Sequence, residues 1–441
     1  MTLTTKSIKQ KSVSIFWFRR DLRLHDNHGL YEALKQSEAV LPIFIFDINI
    51  LSGLKDKKDK RISFIHSTLL DMQRQLEDIG SSLLILHDSP KNAFEKLLTQ
   101  FDIQAVYTNH DYEPYAIQRD QEIAAFLSKH NISFQTFKDQ VIFEKEEITK
   151  SDGKLYTIYT PYSKAWKAKY LAEKKTRFPS EKLLDKYLKT KPFSFPVLSQ
   201  IGFDKSDLEI TSPKLDKDII LHYTETRNLP SVNGTSRLSV HLRFGTVSIR
   251  ELAAVASKWN ETWLNELIWR EFFMMILYHF PKVVTESFKS KYDRIPWRNN
   301  EKEFNLWCKG ETGYPLVDAG MRELNETGFM HNRVRMVVAS FLTKHLLIDW
   351  RWGEAYFAEK LLDYELSSNN GNWQWCAGCG CDAAPYFRIF NPTEQQKKFD
   401  PDFVYIKQWI KNYKPGYLEP IVDHDFGRKR VLEVFKNALN E

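Results

Sequence analysis

Cysteine is scarce in this chain: four in 441 residues, three crowded at Cys376, Cys379 and Cys381 and one apart at Cys308. So few thiols make no disulfide framework and suit a reducing compartment. The C-x-x-C-x-C spacing invites a metal site. No histidine lies within residues 363–392, however, and thiolate sites want four ligands, so no metal is expected and small buried thiols are the plain reading. Long apolar runs are missing as well. The densest, residues 272–278, covers about two helical turns, far below the roughly 20 residues of a membrane span. The opening MTLTTKSIKQK lacks the apolar segment of a secretion leader, which points to a soluble cytoplasmic protein with no membrane partner. Charge is not one-sided either: 63 basic against 57 acidic residues leave +6, which permits phosphate binding without demanding it.

Aromatic residues are abundant, with 12 Trp and 30 Phe, and such rings serve a large core, a flavin pocket or a base-stacking platform. The length predicts two domains. Residues 13–18, 39–46, 82–87 and 105–110 are apolar runs that alternate with helical spacing at 29–36, 61–79, 91–101 and 114–129. That is the pattern of a parallel α/β sheet, and it predicts an α/β first domain over residues 12–137. The loop Arg19-Arg20-Asp21-Leu22-Arg23 follows the first strand, where open sheets place ligands; ion pairing is the alternative. Residues 138–217 are charge-rich and carry Pro161, Pro179, Pro192 and Pro196. They predict an interdomain connector with a few helices, and the lysines of its basic aromatic patch at 162–175 read mostly as solvated. Residues 218–441 carry helical patterns, predicted over 251–257, 264–279, 315–327, 331–347, 354–363 and 428–439.

The chain is organised around residues 363–392, DYELSSNNGNWQWCAGCGCDAAPYFRIFNP. Trp, Asn and Asp are costly to bury without partners, and a large aromatic ligand with polar edges would supply them. Gly378-x-Gly380-x-x-Ala383 formally matches a dinucleotide fingerprint, but it follows Trp373-Gln374-Trp375 instead of a β-branched strand and lacks the distal acid, so it is discounted. Upstream, residues 233–239 (NGTSRLS) set a turn, two hydroxyls and a cation before a helical segment, which reads equally as a pyrophosphate cradle or a plain N-cap. On the helix that follows His331, residues Asn332, Arg335, Met336 and Ala339 share a face, with Arg333 turned about 100° away. Glu266 and Trp269, at i and i+3, bring a carboxyl group and a flat ring to one face of another helix.

NNGNWQW followed by DAAPYFRIFNP resembles the flavin-binding core of the photolyase/cryptochrome family. The likeness continues in residues 12–27 (SVSIFWFRRDLRLHDN), 235–248 (TSRLSVHLRFGTVS), 266–273 (ELIWREFF) and 312–354, in order across nearly the whole chain. It is greatest toward class I cyclobutane pyrimidine dimer photolyases. The resemblance implies an α/β antenna-binding domain, then an all-α FAD-binding catalytic domain. It implies FAD and a second antenna chromophore of deazaflavin or folate type, and Tyr112-Glu113-Pro114-Tyr115 looks more like the deazaflavin users. It assigns FAD contacts to Tyr223, Thr235, Ser236, Arg237, Leu238, Ser239, Arg270 and Asn370, to Arg335 paired with Asp363 beside the isoalloxazine, to Glu365 near the adenosine, and to Asn369 at flavin N5. It places Glu266, Trp269, Asn332 and Met336 in a dimer pocket, and Trp297, Trp350 and Trp373 in an electron relay from surface to flavin.

The partner it implies is UV-damaged DNA, whose phosphates would meet Arg227, Arg333, Arg388, Gln395, Lys397 and Lys398. Photolyases are among the enzymes that extrude their target base. In this family Asn at position 369 goes with repair, since the amide offers a hydrogen bond without an acidic proton. The expected function is therefore light-driven splitting of cyclobutane dimers by a nucleoid-associated monomer. Three alternatives stand beside it. One is a cryptochrome-type photoreceptor, although little chain follows the core motif to make a signalling tail. Another is a (6-4) photolyase, for which His331 is the one nearby imidazole. The third is a flavin oxidoreductase that turns over in the dark.

Overall fold

The computed structural model describes residues 12–173, 176–207 and 212–439. They form two compact units, each assembled from separated stretches: residues 12–142, 176–207 and 241–252 in the first, and 143–173, 212–240 and 253–439 in the second.

The first unit is built on five parallel strands, β1 (Ser12–Phe18), β2 (Val40–Asp47), β3 (Leu84–Asp88), β4 (Asp102–Asn109) and β5 (Ser133–Phe137), in the order β3-β2-β1-β4-β5. Ile15, Phe16 and Trp17 of β1, Leu41 and Ile43 of β2 and Val106 of β4 are buried whichever way they point. A parallel sheet covered on both faces requires such continuous apolar runs. The helices His28–Gln36, Lys60–Glu77 and Pro90–Gln100 start on Asn27, Asp59 and Ser89, whose side chains accept from first-turn N–H groups. β5 was not among the expected strands. Its sequence SFQTF runs along the sheet edge only half-buried, so its apolar signal is weak.

The chain order reverses between β1 and β4, so the loops after these strands border the place where open sheets leave a crevice. The arginines there are engaged in ion pairs. Arg19 meets Asp120 at 2.5 Å, Arg20 meets Asp111 at 3.1 Å and Glu113 at 2.8 Å, and Arg23 meets Asp139 at 2.7 Å. Asp139 also pairs with Arg250 at 2.8 Å, and Arg250 reaches Asp26 at 3.1 Å. Burial pushes the Asp139 carboxyl up, but Arg23 and Arg250 outweigh it and hold the pKa at about 2. A folded pKa below the ordinary value of about 3.9 stabilises the fold above that pH, and the contribution is lost as pH falls toward 2. Replacing Asp139 with Asn should cost about 3–5 kcal/mol at pH 7, because the arginines lose their buried counter-charge. The penalty should shrink between pH 5 and pH 3, as urea unfolding at each pH would measure.

The second unit is helical, with Tyr159–Ala172, Glu261–His279, Pro315–Thr327, Asn332–Ser340, Trp350–Lys360, Leu366–Ala377, Pro392–Phe399 and His424–Leu439 as its main helices. Leu366–Ala377 lies at the centre, packed by Glu261–His279, Asn332–Ser340 and Trp350–Lys360. Two glycines allow that approach: a Cβ on Gly371 would lie 2.2 Å from the Phe273 ring, and one on Gly353 would lie 2.1 Å from Trp373. The helix expected over 331–347 is α-helical only to Ser340 and then widens into a π turn, Phe341–His345. The wider turn carries Lys344 inward, where its Nζ donates to the Ala377 carbonyl at 2.7 Å. Within the charge-rich stretch, Tyr159–Ala172 buries Tyr162, Trp166 and Tyr170 at i, i+4 and i+8. Trp166 Nε1 and the Phe143 N–H both donate to the buried Glu271, which ties this stretch to Glu261–His279.

Candidate active site

Glu266 and Trp269 emerge from the same side of Glu261–His279, as their spacing requires. The Glu266 carboxylate accepts from Arg227 Nη1 at 2.5 Å, and Arg227 lies over the Tyr223 ring at 5.5 Å. Burial pushes the Glu266 carboxyl up against the pull of Arg227. Tyr159 stacks on Trp269 with ring centroids 3.6 Å apart and planes 6° from parallel. On Asn332–Ser340, Val334, Val337 and Val338 face the core while Asn332, Arg335 and Met336 stay accessible. Arg333 turns to Asn228, donating to its Oδ1 at 2.7 Å, and stacks 4.4 Å above Phe399. Lys398 approaches the same Phe399 ring at 5.3 Å. Arg227 binds Glu266 and lies close enough to Arg333 to add to burial in lowering its pKa, and Arg333 shares the Phe399 ring with Lys398, so three cations follow one another away from Glu266. Arg388 is exposed farther along, Lys397 pairs with Glu394 at 2.8 Å, and the Gln395 Oε1 is buried without a partner. His331 is the N-cap of its helix: its Nδ1 accepts from the Arg333 N–H at 3.2 Å. Burial and the surrounding arginines lower its pKa to about 4, so it is neutral at physiological pH.

A second cluster lies at the start of Leu366–Ala377. Arg335 donates to Asp363 at 2.9 and 3.2 Å and to the Met330 carbonyl at 2.8 Å. Arg270 donates to Glu365 Oε1 at 3.1 Å, and the Ser368 hydroxyl to Glu365 Oε2 at 3.0 Å. Asn369 donates through Nδ2 to the Glu354 carbonyl at 3.1 Å and to its Oε1 at 2.9 Å. A carbonyl can only accept, so the Asn369 Nδ2 must face Glu354 and its Oδ1 is left as the free end of the amide. Burial pushes the Glu354 carboxyl up. Asn370 faces elsewhere: its Nδ2 donates to the Val283 carbonyl at 2.8 Å and its Oδ1 accepts from Gln374 at 3.1 Å. In the 233–239 turn, Leu238 is buried, while Thr235, Ser236, Arg237 and Ser239 remain accessible. Arg237 adopts φ 50° and lies 4.8 Å from the Phe329 ring. Three hydroxyls and a guanidinium around one turn suit a diphosphate, and the free Oδ1 of Asn369 suits an N–H at a ring edge. This donor set fits a flavin dinucleotide.

Trp373 and Trp350 are buried, at 2% and 1% exposure, and Trp297 is partly exposed against the same core. Trp297 packs edge-on against Phe435 at 5.8 Å. Tyr159, Asn228 and Glu354 were not singled out from the sequence. Each acts on the site through a contact made by another helix, and no local spacing signals such a contact.

Residues 263–415 match the family model described as the FAD binding domain of DNA photolyase, and residues 14–181 match the one described as DNA photolyase. A deoxyribodipyrimidine photo-lyase of Synechococcus sp. is 37% identical, with 96% of each chain covered. Among solved structures, a class III photolyase of Agrobacterium tumefaciens superposes with TM-score 0.85 at 30% identity over 100% of both chains. An archaeal photolyase of Sulfolobus tokodaii, which holds two FAD molecules, gives 0.83 at 34% identity over 97% of this chain and 100% of its own. The chain belongs to the DNA photolyase family.

Because Gly353 abuts the Trp373 ring, Gly353→Ala should destabilise the second unit by about 1–3 kcal/mol through overpacking. Tryptophan fluorescence during urea unfolding would record both the loss and the displaced indole.

Proposed function

We propose that this protein splits cyclobutane pyrimidine dimers in DNA by light-driven electron transfer, as a deoxyribodipyrimidine photo-lyase. The observation that carries the reading is the pairing on one helix of Glu266 and Trp269, with Arg227 bound to the carboxylate and the Asn369 amide held on the adjacent helix. Bound and reduced, FAD supplies the photoexcited electron donor. Thr235, Ser236, Arg237 and Ser239 would hold its diphosphate, and the Arg335–Asp363 ion pair would supply a charge-neutral wall of the site. Glu354 keeps the Asn369 amide from rotating, so the free carbonyl oxygen points one way.

The dimer pocket works by displacement. A DNA phosphate arriving at the strip Arg227, Arg333 and Lys398 competes for Arg227, which frees the Glu266 carboxyl to hydrogen-bond the base edge. Trp269 stacks on the extruded base, and Asn332 and Met336 close the apolar side. Trp297, Trp350 and Trp373 carry an electron inward from the surface. His331 has its pKa lowered to about 4 and one nitrogen committed to a helix cap, so it is poorly placed as an acid, which favours the cyclobutane lesion over the (6-4) photoproduct. In the first unit, exposed Ile48, Ile50 and Tyr115 lie where β2 ends and Tyr115 follows the loop after β4. Arg119 lies 5.8 Å from the Tyr115 ring, so this strip would seat an aromatic antenna.

The reading is tested with a duplex carrying one thymine cyclobutane dimer and the reduced protein. Blue light should restore thymine and darkness should not; no restoration by FAD-loaded protein would sink the proposal. Glu266→Gln should lower repair by roughly ten-fold or more with FAD content unchanged, since the hydrogen bond to the base edge loses its charged partner. Trp373→Phe should abolish light-driven reduction of the oxidised protein, yet leave repair intact once the protein is reduced chemically.

A further inference from the structure

Tyr159 belongs to none of the motifs that mark the site, yet it makes the closest ring contact there. Its ring lies 3.6 Å from Trp269 and 6° from parallel, a closer and flatter contact than Phe273 makes with the same indole at 5.4 Å and 29° or Phe272 makes edge-on at 5.7 Å. Three contacts hold Tyr159 in that position. Its hydroxyl donates to the Asn265 carbonyl at 2.9 Å, one turn before Trp269 on the same helix. Its backbone N–H donates to Asp382 Oδ2 at 2.8 Å, in the loop that precedes Pro385 and Arg388. Its ring edge meets Phe272 at 5.9 Å, 77° from parallel. The residue is only 9% exposed.

We infer that Tyr159 is a positioning residue for lesion recognition: it holds the Trp269 plane so that a pyrimidine dimer meets a fixed indole surface. This rests on the proposed dimer pocket. A lone Trp on a cavity wall explores rotamers, and freezing it on binding costs affinity; a ring already stacked on a second, anchored ring has lost that freedom before the ligand arrives. Stacked aromatic pairs are also worth more than their buried area alone. Undamaged DNA, held through phosphates, gains nothing from a fixed indole, so Tyr159 acts on discrimination more than on overall DNA affinity.

The experiment compares wild type with Tyr159→Phe, Tyr159→Leu and Tyr159→Ala. Each FAD-loaded protein is titrated in the dark with a duplex containing one thymine dimer and with its undamaged counterpart, and repair per absorbed photon is then measured at saturating dimer DNA. Tyr159→Leu and Tyr159→Ala should bind the dimer roughly five-fold more weakly than wild type, with undamaged-DNA affinity and saturated repair yield unchanged, while Tyr159→Phe keeps dimer affinity near the wild-type value. Tyr159→Leu retains apolar bulk, so it reads the ring plane even where the alanine variant folds poorly. The inference is overturned if Tyr159→Leu binds the dimer as tightly as wild type. It is also overturned if Tyr159→Phe is as weak as Tyr159→Leu, or if both duplexes lose affinity in parallel. Wild-type repair and selectivity test the functional reading separately, because they involve no substitution at this position.

Discussion

The second unit depends on one close approach: the ring of Phe273 against the bare Cα of Gly371, where a single added carbon would sit 2.2 Å from the ring. Packing at that distance brings the backbones of Glu261–His279 and Leu366–Ala377 together and sets which side chains face each other. Glu266 and Trp269 lie two turns and one turn before Phe273, and Asn369 lies two residues before Gly371. Glu266, Trp269 and the Asn369 amide are thereby placed by the same contact. Gly353 in turn lets Trp350–Lys360 press against the Trp373 ring. Protein interiors resist even one methylene, so such contacts fix geometry rather than merely favour it.

The acidic groups of the site are all held in place by a neighbour. Glu266 is bound by Arg227, Asp363 by Arg335, and Glu365 by Arg270 and Ser368, while Glu354 receives the Asn369 amide. Each carboxylate is oriented before any ligand arrives, and burial raises the pKa of Glu266 and Glu354. Low-dielectric surroundings strengthen these pairs and make an unmatched charge costly. A neutral ligand edge or a phosphate can then exchange with one partner at a time. Rigid, matched electrostatics of this kind suit a protein whose contribution is to hold donor and acceptor at fixed separation.

Much of this was legible in the chain. The four apolar strand runs, the helical second half and the i, i+3 pairing of Glu266 with Trp269 follow from period and spacing, and the structure has them within a few residues. β5 escaped because an edge strand with polar alternation resembles a loop. The break at Phe341–His345 escaped because a π turn preserves helical composition while adding a residue to one turn. The fate of Arg19, Arg20 and Arg23 could be stated only as two options, since sequence does not show which carboxylates return to them; Asp120, Asp111 and Asp139 lie about a hundred residues on. Tyr159 and Glu354 were missed for the same reason. A side chain that acts on a site through a partner carries its signal in three dimensions, not in its neighbours along the chain.

The first unit is discontinuous, and this bears on the order in which a ribosome delivers it. All five strands and Asp139 leave the ribosome early, but Arg250, one of the two cations that neutralise that carboxylate, follows 111 residues later. At about 5–20 residues per second that gap lasts roughly 6–20 s. During it the nascent sheet holds a carboxylate matched by Arg23 alone, and Asp26 lacks its bonds from both Ser248 and Arg250. The emerging sheet is therefore under-compensated until the 241–252 segment returns to it, and by then residues 143–173 and 212–240 of the helical unit have already been made. Synthesis of the two units is interleaved, so the buried charge cluster at the end of the sheet cannot be completed before part of the helical unit exists.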